Sequence, residues 1–202
     1  MNETIYALLH RRSIRKYKPD MVSQEYLNQI LKAGLYAANG GNNQFSRFIV
    51  ITEQERVSGF AHLVCAEMGK LDESTHPYQA NDIRRARKSP EYNCCYGAPV
   101  LILVVAPINH GNGMADSACA TQNMLNAAYS LGLGSCYMNH PHWVAGAASI
   151  KSTMQQFGMR EDETIYCGLV VGLPDQELPP AAKRKDSRIC FVDSEKFGGA
   201  DL

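Results

Sequence analysis

The stretch Arg11-Arg12-Ser13-Ile14-Arg15-Lys16-Tyr17 puts three guanidiniums and a hydroxyl within five residues. Like charge packed this closely is unfavourable unless an anion offsets it. A phosphate monoester would do so through paired N–H donors and charge-assisted hydrogen bonds. The competing reading is a solvated surface patch. The flanks fix the setting. Residues 2–9 read as a short helix, with Asn2 as cap, Glu3 at its positive end, and Ile5, Leu8 and Leu9 on one face. Pro19 then opens a turn. Two further basic runs, Arg84–Lys88 and Lys183–Arg188, stand far along the chain, while the acidic residues are scattered.

Further outward, Ser23 caps a second helix whose apolar face is Leu27, Ile30, Leu31 and Leu35. Asn39-Gly40-Gly41-Asn42-Asn43-Gln44 reads as a loop, since Asn and Gly tolerate positive φ. Phe48–Ile51 follows as a strand. Residues 54–97 carry the weakest pattern: a helix around Phe60–Met68, an exposed loop over Asp72–Asp82, and a basic surface at Arg84–Lys88. Pro99–Val105 is a nearly continuous apolar run, as expected of a strand buried on both faces. Asp116 opens a long helix with Ala120, Met124, Leu125, Ala128 and Leu131 inward and Gly132 ending it. Ser135–Met138 reads as an edge strand, 143–157 as a helix, Tyr166–Val171 as a buried strand and Ile189–Val192 as a last short strand.

Composition bounds the class. The 202 residues are 45% hydrophobic and 20% charged, ordinary globular usage for one domain. Twenty basic residues balance 20 acidic ones, which argues against a nucleic-acid or anionic-membrane binder. The longest apolar run, Ala98–Ile108, is too short to span a bilayer and holds two prolines. With no signal-peptide pattern, the expectation is a cytoplasmic protein. Seven cysteines without framework spacing then read as reduced thiols. Cys136, His140 and His142 lie close in sequence, but a structural zinc site needs a fourth ligand and none is near. Cys136 reads as a packed thiol, His142 as a plain loop residue, and Met124 and Met138 as core.

The basic motif after one short helix resembles the opening of the nitroreductase family, the FMN-dependent oxidoreductases. Other landmarks follow in that family's order. Asn42, Gln44 and Phe48 match its Ser-x-x-Asn-x-Gln-Pro-Trp-x-Phe element. Ala98-Pro99 and the strand after it, Asp116–Leu131 with Gly132–Tyr137, and Gly168–Pro174 resemble its central strand, core helix and late strand. Lys183-Arg184-Lys185 matches its C-terminal basic element. Three stretches depart from the pattern: Ala38-Asn39 for Pro-Ser, Phe45-Ser46 for Pro-Trp, and Asn139-His140-Pro141-His142 where relatives carry Gly or Glu-Gly beside the flavin ring.

The resemblance implies an α+β fold, a central, mostly antiparallel sheet surrounded by helices, with a helix-rich dimer interface. It implies FMN as cofactor, NADH or NADPH as donor, and a homodimer in which two chains share each flavin site and residues 54–97 cover the partner. Arg11 and Arg15, with Arg184 or Lys185, would serve the phosphate. Arg12 and Ser13 would reach the ring edge. Asn39, Asn42 and Gln44 would supply amide groups to the ribityl chain and ring, and Asn139 and His140 would flank the ring. No side-chain acid is demanded, because the chemistry sits at flavin N5. The implied function is reduction of a nitroaromatic, quinone or similar small-molecule acceptor by a ping-pong cycle. Other redox chemistry on the same site, and a non-catalytic flavin-binding module, are the alternatives.

Overall fold

A computed structural model describes residues 1–184 and residue 192. Its frame is a four-stranded antiparallel sheet in the order β1-β2-β4-β3. The strands are β1 (Arg47–Ile51), β2 (Val100–Pro107), β3 (Gly134–Met138) and β4 (Glu163–Gly172). β2 is buried on both faces, as its unbroken apolar run requires. Leu101, Leu103 and Val105 join the core on one side of the sheet, and Val100, Ile102 and Val104 join the core on the other.

Helices cover both faces. On one lie α2 (Gln24–Leu35) and α5 (Gly113–Ser130); on the other lie α3 (Gln54–Gly69), α6 (His140–Trp143) and α7 (Ala148–Gln156). Local signals set several boundaries. Asn2 accepts from the Ile5 N–H at the start of α1 (Glu3–His10), and Ser23 accepts from the Tyr26 N–H at the start of α2. Met124 and Met138 are wholly buried.

Four expectations change. The helix expected around Phe60–Met68 runs the whole length of α3, and α4 (Ala80–Lys88) packs beside it. The single helix expected over 143–157 is two, because the chain turns between Trp143 and Ala148. α5 begins at Gly113 rather than Asp116, which sits buried in its first turn. On α1 only Ala7 is buried, leaving Ile5, Tyr6, Leu8 and Leu9 each more than 40% exposed; Leu35 at the end of α2 is 64% exposed. The apolar faces read from periodicity therefore point outward there. The strand expected at Ile189–Val192 falls almost wholly outside the described residues.

One staple joins the β1 and β4 strands. Arg47 Nη1 donates to both carboxylate oxygens of Glu163, at 2.8 and 2.6 Å, and the Arg160 N–H donates to the same carboxylate at 2.8 Å. The Glu163 side chain is only 2% exposed, so Arg47→Ala strands a buried charge. That substitution is expected to cost about 2–4 kcal/mol by urea unfolding, whereas an exposed pair such as Arg56–Glu53 should cost under ~1 kcal/mol.

Candidate functional site

The basic motif lies along the free edge of β3. Ile14 N–H donates to the Ser135 carbonyl at 3.0 Å and Lys18 N–H to the Leu173 carbonyl at 2.9 Å; the Lys16 carbonyl accepts from Asp175 N–H at 2.9 Å. Ser13 pairs with Ser135 and Tyr17 with Pro174 as single β-bridges. Arg15 N–H donates to Gln176 Oε1 at 3.0 Å. The edge that β3 would otherwise expose is thereby covered by the N-terminal segment.

Two glycines opposite each other on β3 and β4, Gly134 and Gly172, make the seat. A Cβ on Gly134 would stand 2.9 Å from Ile14 Cγ2. A Cβ on Gly172 would stand 2.6 Å from Pro99 Cδ and 2.9 Å from Tyr17 Cδ1. Ile14 is 1% exposed in this slot. The Tyr17 hydroxyl donates to the Ile14 carbonyl at 2.6 Å, and burial pushes its phenol pKa far above the usual range.

This seat presents the guanidiniums unequally. Arg11 Nε and Nη1 and Arg12 Nε are buried without a hydrogen-bond partner among the described residues. Burial lowers the Arg11 pKa, and the neighbouring Arg12 cation adds to this. Arg12 turns part of its guanidinium away: Nη1 donates to the carbonyls of Leu9 at 2.8 Å and Arg11 at 2.9 Å, closing the C-terminal end of α1. Arg15 lies 5.8 Å from the Tyr96 ring centroid. Cys136 faces both Arg11 and Arg15, yet burial outweighs them and raises its pKa, so it stays a packed thiol.

Beyond Arg15 opens a cavity of about 490 Å³. Tyr96, Cys136, Asn139, His140 and Trp143 line it together with Tyr78, Asp82 and Arg85. Asn139 Oδ1 and His140 Nδ1 are buried there without partners among the described residues. His140 Nε2 stands 3.8 Å from Asp82 Oδ2, and Asp82 Oδ1 stands 3.8 Å from Arg85 Nη1. Burial lowers the His140 pKa, Asp82 opposes this, and Arg85 and Arg15 reinforce it; the net shift is downward.

The sequence reading missed Tyr78, Asp82, Arg85, Tyr96 and Trp143. The run Arg84–Lys88, read as a surface, divides. Arg84 and Arg87 grip Glu73, and Arg87 also donates to the Gly69 carbonyl at 2.7 Å. Arg85, one step round the helix, faces the cavity. His142 is tied to the sheet through Nδ1 and the Ile165 carbonyl at 2.8 Å. Among the described residues no group of three or more His, Cys, Asp or Glu is placed to hold a metal ion.

The loop 39–44 is built elsewhere. Gly40 N–H donates to Asp116 Oδ1 at 3.0 Å, and His110 Nε2 lies 2.8 Å from Asp116 Oδ2. Gln44 N–H donates to Asn39 Oδ1 at 3.0 Å, and Gln44 Nε2 to Asn42 Oδ1 at 3.2 Å. Asn42 and Gln44 are exposed and hold φ of 54° and 53°, a left-handed conformation costly for Gln. The loop leads into Arg47, which grips Glu163 at the start of β4; the basic motif sits at the Gly172 end. The 10 residues of β4 separate those ends by roughly 30 Å. Thus one chain gathers Arg11, Ser13, Arg15, Asn139 and His140, while Asn39, Asn42 and Gln44 lie at the opposite end of its sheet. Arg184 is exposed, and Lys185 lies outside the described residues.

An NADPH-flavin oxidoreductase of Vibrio harveyi is 28% identical over 180 residues, covering 87% of this chain and 68% of its own. A nitroreductase with bound FMN from Bacteroides fragilis superposes with a TM-score of 0.87 at 26% identity, over 96% of this chain and 100% of that one. One from Desulfitobacterium hafniense, also with bound FMN, gives 0.81 at 26% identity over the same shares. Residues 8–173 match the profile of the nitroreductase family, a span that runs from α1 to the end of the sheet and takes in the basic motif, the loop and the cavity, and the chain belongs to that family.

Proposed function

We propose that this chain is an FMN-dependent oxidoreductase that takes hydride from NADH or NADPH and reduces a nitroaromatic, quinone or similar acceptor in a ping-pong cycle. One observation carries the reading: the buried Arg11 nitrogens without partners, on a segment that leads into the cavity through Arg15. Buried cationic donors are costly unless an anion meets them, and a flavin phosphate offers paired acceptor oxygens to a guanidinium. When bound, FMN supplies the redox chemistry, accepting hydride at N5 and passing the electrons on. The protein's share is to hold it. Arg11 and Arg15, with Arg184 or Lys185, hold the phosphate end, and Ser13 adds a hydroxyl donor toward the ring edge. Asn139 and His140 border the ring. Tyr96 and Trp143 line the same cavity.

Asn39, Asn42 and Gln44 reach a site of this kind only from a second copy, which supports a homodimer with flavin at the interface. The exposed faces of α1 and α2 favour the same assembly. They border a groove of about 1200 Å³ with the C-terminal half of α5, lined by Tyr6, Leu8, Tyr36 and Ala127. The six cysteines among the described residues are free thiols, which suits the reducing cytoplasm, where NAD(P)H is available. No helix among the described residues is long and apolar enough to cross a membrane.

The purified protein is expected to carry a flavin absorbance spectrum, to bleach anaerobically with NADH or NADPH, to recolour with a quinone, and to sediment as a dimer. A yellow protein that neither pyridine nucleotide bleaches would instead be a flavin-binding module. A colourless protein that takes up no added FMN would overturn the reading.

A further inference from the structure

We propose that Arg85 selects acceptors that carry an acid group on an aromatic ring, with Arg85 meeting the acid while Tyr78 and Trp143 meet the ring. The inference rests on the flavin reading above and names the class of acceptor that the same cavity takes.

Arg85 is the cation that α4 leaves uncommitted. Its neighbours Arg84 and Arg87 reach the Glu73 carboxylate at 2.7 and 2.8 Å. Arg85 faces the cavity instead, with its side chain 59% exposed. The carboxylate beside it, Asp82, stands 3.8 Å away, beyond hydrogen-bond length, and is equally far from His140. The Tyr92 ring supports one face of the guanidinium, whose carbon lies 5.4 Å from the ring centroid. The N–H donors lie in the guanidinium plane, so stacking leaves them to a ligand.

The charges around the cavity favour an acid. Among the described residues Asp82 is the sole carboxylate lining it, against two guanidiniums, Arg15 and Arg85. Burial shifts His140 toward its neutral form and keeps Cys136 a thiol. In the flavin reading Arg15 serves the phosphate, which leaves Arg85 for a second anion. The aromatic side chains say what carries that anion. Tyr78, just before α4, is 80% exposed, yet it stands edge-on to Trp143 with ring centroids 6.0 Å apart. Two such rings at a cavity, one of them largely in water, make a wall suited to a flat apolar ligand. A guanidinium fork beside that wall suits a carboxylate or sulfonate borne on the same ligand. Arg85 binds and does not react. When a naphthoquinone sulfonate is reduced, one hydride from the reduced flavin and one proton from water make the hydroquinone, and the sulfonate is unchanged.

Two measurements test this, and the first needs no turnover. Trp143 is the only tryptophan in the chain, so its fluorescence reports on this cavity with or without flavin. Benzoate should perturb it at lower concentration than benzamide, which has nearly the same shape without the charge. Arg85→Gln should weaken benzoate about 10-fold, the lower end for a hydrogen bond to a charged group, and leave benzamide unchanged. Arg85→Lys should recover part of the loss, and Arg84→Gln should change neither ligand. The second measurement compares a naphthoquinone sulfonate with the parent naphthoquinone as acceptors for the holoenzyme in turnover with NADPH. Arg85→Gln should raise KM for the sulfonate roughly 10-fold with kcat held, and leave the neutral quinone as it was. Equal losses for both acceptors, or no loss for either, overturn the inference. So does a loss confined to NADPH with NADH untouched, which puts the anion on the donor's ribose phosphate. A protein that neither takes up FMN nor bleaches with NAD(P)H overturns the functional reading instead, and the benzoate titration reads Arg85 separately from that failure.

Discussion

Alanine at both Arg11 and Arg15 should lower FMN affinity roughly 10²–10⁴-fold, from ~1.5–3 kcal/mol for each bond to a charged phosphate with some loss to non-additivity. Arg11 carries most of this expectation, because its Nε and Nη1 are buried and unmatched. Arg15 is more exposed and rests against Tyr96, so Arg15→Ala alone should cost less than Arg11→Ala. Arg15→Lys should weaken binding less than Arg15→Ala but measurably, since an ammonium lacks the guanidinium fork. Arg84→Ala and Arg87→Ala remove cations that grip Glu73, away from the cavity, and should leave FMN affinity nearly unchanged. Riboflavin, which lacks the phosphate, should bind weakly and ignore the double substitution. Flavin fluorescence titration reads all of these. Undiminished FMN binding by a folded double variant would sink the phosphate assignment.

The second large effect is expected at Gly172. A valine there brings Cβ to 2.6 Å from Pro99 Cδ, a ring atom with no rotamer to yield, and to 2.9 Å from Tyr17 Cδ1. Overpacking of this kind typically costs ~1–3 kcal/mol, and the rigid neighbour puts Gly172→Val at the upper end, about 3 kcal/mol. For a chain of this size that is roughly 6–12 °C in Tm. Tyr17 is the partner that can move, and moving it lifts the basic segment from its seat, so FMN affinity should fall with stability. Gly59→Ala is the control. It lies in α3 with nothing within 4 Å of the added Cβ and should be neutral or stabilising by ~0.5–1 kcal/mol.

The parts of the fold legible in the sequence are those with a local signal. Ser23 announces α2, and the apolar run of β2 announces a strand buried on both faces, because cap and run each act within a few residues. α3 lacked such a signal. Glu53 makes no side-chain cap bond at its start, and polar residues such as Ser58 and His62 interrupt the buried series Val57, Phe60, Val64 and Met68. On α1, periodicity found one apolar face correctly but could not say that this face points away from its own sheet. The basic motif was legible because it concentrates charge within seven residues. Asp82, Arg85, Tyr96 and Trp143 were not, because only tertiary packing brings them to His140. The run Arg84–Lys88 shows this most directly: successive helix positions point in different directions, so neighbouring arginines of like composition serve a clamp and a cavity.

The seating of the basic motif bears on how the protein is made. Arg15 is held by Gln176 across 161 residues, and Ser13 and Tyr17 are paired by Ser135 and Pro174. A chain emerging from the ribosome exposes its arginines early and cannot seat them until β3, β4 and the segment after β4 have followed. Contacts of such long sequence separation form late, since the entropy of closing the loop precedes the reward. If the motif captures an anion, seating must precede capture: a nascent or truncated chain ending before Gln176 should fail to retain the ligand even where its helices have already formed.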